Sequence, residues 1–124
     1  MKFYILFFSC LFISCNKKEK VEITDSTNSA SYFREKLYDK KLMDSLDNLA
    51  LNKGDTIAYN KLKGIYFIGE QKNTGFLYHA LIMSNKFNYK TASFDVYDIL
   101  ASNNEILDSQ TKEIASRYLQ KSKK

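Results

Sequence analysis

The chain has 124 residues, a formal net charge of +5, no proline and four glycines. That length holds one small domain with a modest core, and the scarcity of Gly and Pro argues against a sheet protein with many tight turns and for helices. Both cysteines, Cys10 and Cys15, fall near the start, so no disulfide framework can brace the rest of the chain.

Met1-Lys2 opens the chain, and residues 3–13 are apolar apart from the small Ser9 and Cys10. A helix needs roughly 18 or more apolar residues to span a bilayer. This run is shorter, and Asn16, Lys17, Lys18, Glu19 and Lys20 end it abruptly. A basic start followed by a short apolar stretch is the pattern of a secretory signal. Leu11-Phe12-Ile13-Ser14-Cys15 resembles the lipobox of bacterial lipoproteins, with Phe12 where leucine is usual. The resemblance implies cleavage before Cys15, several acyl chains on that cysteine, and a domain held to a membrane of the bacterial cell envelope, outside the cytoplasm. Cys10, preceded by Ser9, is the competing acceptor. Cleavage there would leave Leu11, Phe12 and Ile13 at the new terminus, whereas cleavage at Cys15 leaves a polar one. An ordinary signal peptide with two incidental cysteines is the alternative. Residues 16–30 are too polar to fold alone. The expected organisation is a signal peptide over 1–14, a lipidated cysteine and tether over 15–30, and an all-α domain over 31–124.

The apolar stripe Phe33, Leu37, Tyr38, Leu42, Leu46 and Leu49 predicts a first helix over 31–51, stopped by Asn52-Lys53-Gly54. A second helix begins at Asp55 or Thr56, either of which can cap it, and carries Ala58, Leu62, Ile65 and Tyr66 to Gly69. A third follows the break at 71–74 and carries Leu77, Ala80, Leu81 and Ser84. A fourth follows Asn88 with Ala92, Val96, Ile99 and Leu100. A fifth runs from Ser109 with Ile114, Ala115, Tyr118 and Leu119. About five helices are therefore expected.

The second and fourth helices are alike. Ala58, Leu62, Ile65 and Tyr66 match Ala92, Val96, Ile99 and Leu100 at an offset of thirty-four residues. With two helices per unit, this period resembles that of tetratricopeptide repeats and their shorter relatives. Tyr59-x2-Leu62-x3-Tyr66 follows that family's first-helix spacing, and Ala80-Leu81 its second-helix pair of small and large residues. Lys63 stands where the family has glycine, and the proline that closes a unit is absent. The resemblance implies antiparallel helical hairpins over 55–122, with the first helix as a cap. An ordinary helical bundle also needs small residues at such spacings.

Catalytic constellations are sparse, and no enzyme is expected. His79 is the single histidine, with no nearby cysteine and no acid within a helical turn. A metal site needs several convergent ligands, and nucleophilic catalysis needs an oriented base. His79 therefore reads as a packed or surface residue. Asp95 and Asp98 lie three apart and are expected on one solvated helix face. No nucleotide motif is present, and neither a cofactor, a metal nor a small-molecule substrate is expected. Lys112, Arg117, Lys121, Lys123 and Lys124 cluster at the C-terminus. They complement a helix dipole, and an exported chain gives little occasion for nucleic acid.

Aromatic residues suggest a partner. Eight tyrosines and five phenylalanines lie beyond Cys15. Many fill a core, but Phe67 and Phe94 fall off the packing stripes. Repeat solenoids line a concave surface with their first helices. The resemblance places Ile57, Asn60, Lys61, Gly64 and Phe67 on that surface in the first unit, and Phe94, Asp95, Asp98 and Ala101 in the second. Aromatic and mixed polar residues suit a protein or peptide. The expected function is a membrane-anchored interaction module. The alternative is an immunity-type or inhibitory lipoprotein that neutralises a toxin or envelope enzyme.

Overall fold

The computed structural model describes residues 26–102 and 108–124. The signal segment, Cys10, Cys15 and the tether to residue 25 lie outside them. The fold is all-α. Its helices are α1 (Ser26–Tyr38), α2 (Lys40–Asp47), α3 (Thr56–Gly69), α4 (Leu77–Lys86), α5 (Lys90–Ser102) and α6 (Ser109–Lys123). A π-helical turn, Asn48–Asn52, continues α2, and a 3-10 turn, Thr74–Phe76, leads into α4. No described helix is long and apolar enough to cross a membrane.

The single helix expected over 31–51 is two helices and a π turn. Asp39 divides them: its backbone leaves the helical region and its carboxylate accepts from the Leu42 amide at 3.1 Å. This raises the count among the described residues from about five to six. α1 also starts at Ser26, so residues 26–30, expected in the tether, are helical.

Two further aspartates start helices in the same way. Asp55, rather than Thr56, caps α3 by accepting from the amides of Ile57 at 2.8 Å and Ala58 at 2.9 Å. Asp108 caps α6 by accepting from the Thr111 amide at 2.8 Å. Such a cap contributes about 1 kcal/mol, because it satisfies an amide with no partner inside the helix. Backbone and side-chain hydrogen bonds from Thr111 hold the Asp108 carboxyl below its ordinary pKa.

The breaks between helices carry left-handed residues: Gly54 at φ 70°, Gln71 at 58° and Asn88 at 52°. Gly54 is also needed for space. A Cβ there would lie 2.5 Å from Cδ1 of Phe87.

The thirty-four-residue correspondence is repeated in burial. Ala58, Leu62 and Ile65 of α3 are buried, and so are Ala92, Val96 and Ile99 of α5. Tyr66 and Leu100, the fourth pair, are both partly buried against the same core. Fully burying a side chain such as Leu62 contributes about 1.5–3 kcal/mol.

Helix α1 lies against α3, α4 against α5, and α5 against α6. The space between α3 and α4 is filled by rings. Phe76 is fully buried, with its centroid 5.0 Å from Tyr59, 5.8 Å from Tyr66 and 5.8 Å from Phe67. α1 approaches α3 where α3 lacks side chains. A Cβ on Gly69 would come within 2.9 Å of the Phe33 carbonyl oxygen, while one on Gly64 would meet the Phe33 ring at 3.8 Å.

Candidate partner-binding site

The residues expected on one concave surface fall into three places. Asn60, Lys61 and Gly64 line a cleft between α1, α2 and α3. Phe67 and Asp95 flank the seam between α3 and α5. Phe94 and Asp98 are exposed on α5, and Ala101 is half-buried near its end.

The cleft has a volume of about 590 Å³. Phe33, Leu42, Leu46 and Ile65 give it apolar walls, and Tyr32, Lys36, Asn60 and Lys61 complete the lining. Gly64 leaves room between α3 and the Phe33 ring. Lys36 is held above the Tyr32 ring at 5.3 Å from its centroid. Ile57, 68% exposed, stands one turn before Lys61 and extends this face. Tyr32 is 54% exposed at the other side. α1 and α2 supply half of this site. The sequence places Asn60, Lys61 and Gly64 on a concave face formed with α5, not in a cleft against α1 and α2, and it does not single out Tyr32, Phe33 and Lys36, because the first helix is read as a cap.

The seam between α3 and α5 is polar and occupied. Asp95 is only 2% exposed, which corrects the expectation that it shares a solvated face with Asp98. The Tyr59 hydroxyl donates to its Oδ2 at 2.7 Å, and the Lys63 ammonium donates to Oδ1 at 2.6 Å. Burial first, then the bond to Asp95, pushes the Tyr59 hydroxyl far above the ordinary tyrosine pKa. Lys63 also lies 5.4 Å from the Phe67 ring centroid. Phe67 is half-buried against Phe76 rather than free of the core. Asp95 and Phe67 thus share Lys63 as a neighbour; Asp95 is buried, while the half-buried Phe67 also lines a surface cleft with Gln71, Asn73 and Ser102. Phe94 is 47% exposed, with its ring 5.9 Å from that of Tyr97, and Asp98 is exposed.

His79 is buried in the ring cluster. It stacks on Phe76 at an interplanar angle of 9° and a centroid distance of 5.4 Å. Its Nε2 lies 2.9 Å from Oδ1 of Asp47, an acid that the sequence hides on α2. Its Nδ1 is buried with no hydrogen-bond partner among the described residues. Tyr66, 5.1 Å away by ring centroids, has its pKa raised by burial and then by the charge of Asp47. No group of three or more His, Cys, Asp and Glu side chains among the described residues is placed to hold a metal ion.

The C-terminal lysines are not all solvated. Lys121 donates to the Ser84 carbonyl at 2.6 Å and to Oδ1 of Asn85 at 3.0 Å, tying α6 to the end of α4. Asn85 in turn donates to the Tyr118 hydroxyl at 2.8 Å.

No family model, no curated protein and no solved structure matches the chain.

Proposed function

We propose that the protein is a lipoprotein of the bacterial cell envelope, anchored through lipid on Cys15, whose helical repeat-like domain binds another protein. The observation that carries the binding role is the apolar cleft between α1, α2 and α3, flanked by the exposed Tyr32 and Ile57. Large exposed apolar side chains beside a cleft are characteristic of protein contact surfaces. The anchor rests on the lipobox-like run from Leu11 to Cys15 and on the polar residues after it. Stable anchoring takes at least two membrane signals, which several acyl chains on one cysteine supply. The domain is assigned no catalysis.

Two measurements test the halves separately. Growth with a labelled fatty acid should label the protein, and Cys15→Ala should abolish the label. Label that survives in Cys15→Ala and disappears in Cys10→Ala would move the anchor. A photo-crosslinking amino acid at Ile57 should join the protein to a discrete envelope protein in living cells. The absence of any adduct there, or at Tyr32, would end the binding half.

A further inference from the structure

We infer that the cleft between α1, α2 and α3 receives an amphipathic segment of the partner that carries carboxylates beside its apolar side chains. This rests on the reading of the domain as a protein-binding module and specifies the chemistry of what it binds. The walls at Phe33, Leu42, Leu46 and Ile65 call for apolar side chains. The charged residues of the lining are Lys36 and Lys61; it contains no acid. Lys36 has only the Tyr32 ring as a described neighbour for its charge. The ammonium of Lys61 makes no ion pair or hydrogen bond with any described residue.

The cations set the sign of the partner. A buried apolar anchor supplies attraction, and opposed charges at a rim select among partners more than they tighten binding. A basic segment would place its charges against both lysines, and such juxtaposition is a strong means of rejection. The cleft is partly open to solvent. Small-ligand sites bury most of their ligand, whereas an open apolar groove between helices suits the apolar face of a laid-in helix. Asn60, also in the lining, offers an amide that can pair with exposed backbone or side-chain polar groups.

The test uses the full-length protein in zwitterionic nanodiscs and three synthetic helical peptides. All three share one leucine face and differ only in flanking residues: glutamate, glutamine or lysine. Amide shifts of Asn60, Lys61 and Gly64 are followed by NMR. The glutamate peptide should move these amides and bind about tenfold tighter than the glutamine peptide. Lys36→Glu with Lys61→Glu should reverse the preference toward the lysine peptide. Gly64→Leu should fill the cleft and abolish the shifts, with the thermal melt confirming that the variant is folded. Equal shifts from the glutamate and lysine peptides, or none from either, would overturn the inference. So would cleft shifts produced by anionic nanodiscs without peptide, which would make the cleft a lipid contact. The protein-binding role fails separately, in the crosslinking experiment: an adduct at Ile57 with a partner whose contacting segment is basic keeps that role and refutes this one.

Discussion

Tyr59 and Asp95 join the two corresponding helices, α3 and α5, by a 2.7 Å hydrogen bond in which the buried hydroxyl donates to the buried carboxylate. Lys63 completes the group from the more accessible side. Removing one partner from such a set costs more than the set contributes, because the remaining group stays buried without its mate. Tyr59→Phe should cost about 1–2 kcal/mol. Asp95→Ala should cost more, about 2–4 kcal/mol, because it strips a partner from both Tyr59 and Lys63. Urea unfolding of the two variants measures this, and a neutral Asp95→Ala would contradict the described geometry.

The same contact makes the fold sensitive to alkali. Tyr59 keeps its proton in the folded protein where an unfolded tyrosine loses it, above about pH 10. A raised folded-state pKa means the contribution is fully present below the unfolded value and is lost as pH rises beyond it. Tyr66, shifted in the same direction, adds to this. Stability should therefore fall as pH rises above about 10, and Tyr59→Phe should flatten part of that fall. Denaturation midpoints at pH 8 and pH 11 would show it; an identical pH dependence in Tyr59→Phe would exclude Tyr59 as a source.

The two glycines under α1 should respond oppositely to alanine. Gly64 has ordinary contact distance for a Cβ, so Gly64→Ala should stabilise by about 0.5–1 kcal/mol through helix propensity. At Gly69 the Phe33 backbone stands in the way at 2.9 Å. Gly69→Ala should destabilise by about 1–3 kcal/mol through overpacking. Thermal melts of the pair decide it, and the reverse order would mean that α1 does not cross α3 as described.

His79 tests whether its imidazole is there for packing or for its proton. With Nε2 against Asp47, Nδ1 is left buried with no hydrogen-bond partner among the described residues. His79→Phe loses one hydrogen bond but also removes that orphan atom, so it should change stability by less than about 1 kcal/mol. His79→Ala opens a hole beside Phe76 and should cost about 2–4 kcal/mol. Equal losses in both variants, read from denaturant midpoints, would show that the bond to Asp47 outweighs the stack.

Helix α6 should open first among α3 to α6. Ala115 is its single buried residue, and polar ties from Lys121 and Tyr118 hold its far end. Few buried apolar contacts mean a low cost of local opening. Hydrogen exchange should be fastest along α6, and Lys121→Ala should quicken it further. Protection in α6 equal to that in α3 would refute this.

Much of the helical frame was legible in sequence because its signals are local. The alternation of Ala58, Leu62 and Ile65 with breaks at Gly54, Gln71 and Asn88 marks the helices. Asp39 escaped notice because the apolar stripe continues across it from Leu37 to Leu42, and a lone acid looks like surface. Asp95 was placed in solvent because its partners lie 36 and 32 residues away. Yet it shares the buried face of Ala92, Val96 and Ile99, and that spacing was a usable warning. The Asp47–His79 contact gave no such local sign, as the two residues lie 32 apart in the chain and come together only on folding. Helix spacing puts Asn60, Lys61 and Gly64 on one side of α3, but the cleft itself was not legible, because its opposing wall depends on where α1 crosses α3.

That crossing has a mechanical side. Pulling on the chain ahead of Ser26 would load α1 first, and α1 grips the domain where Phe33 rests against the bare backbone of α3 at Gly64 and Gly69. The cleft walls at Phe33 and Ile65 belong to the two helices that meet at this grip. Tension able to shift α1 would therefore change the shape of the cleft.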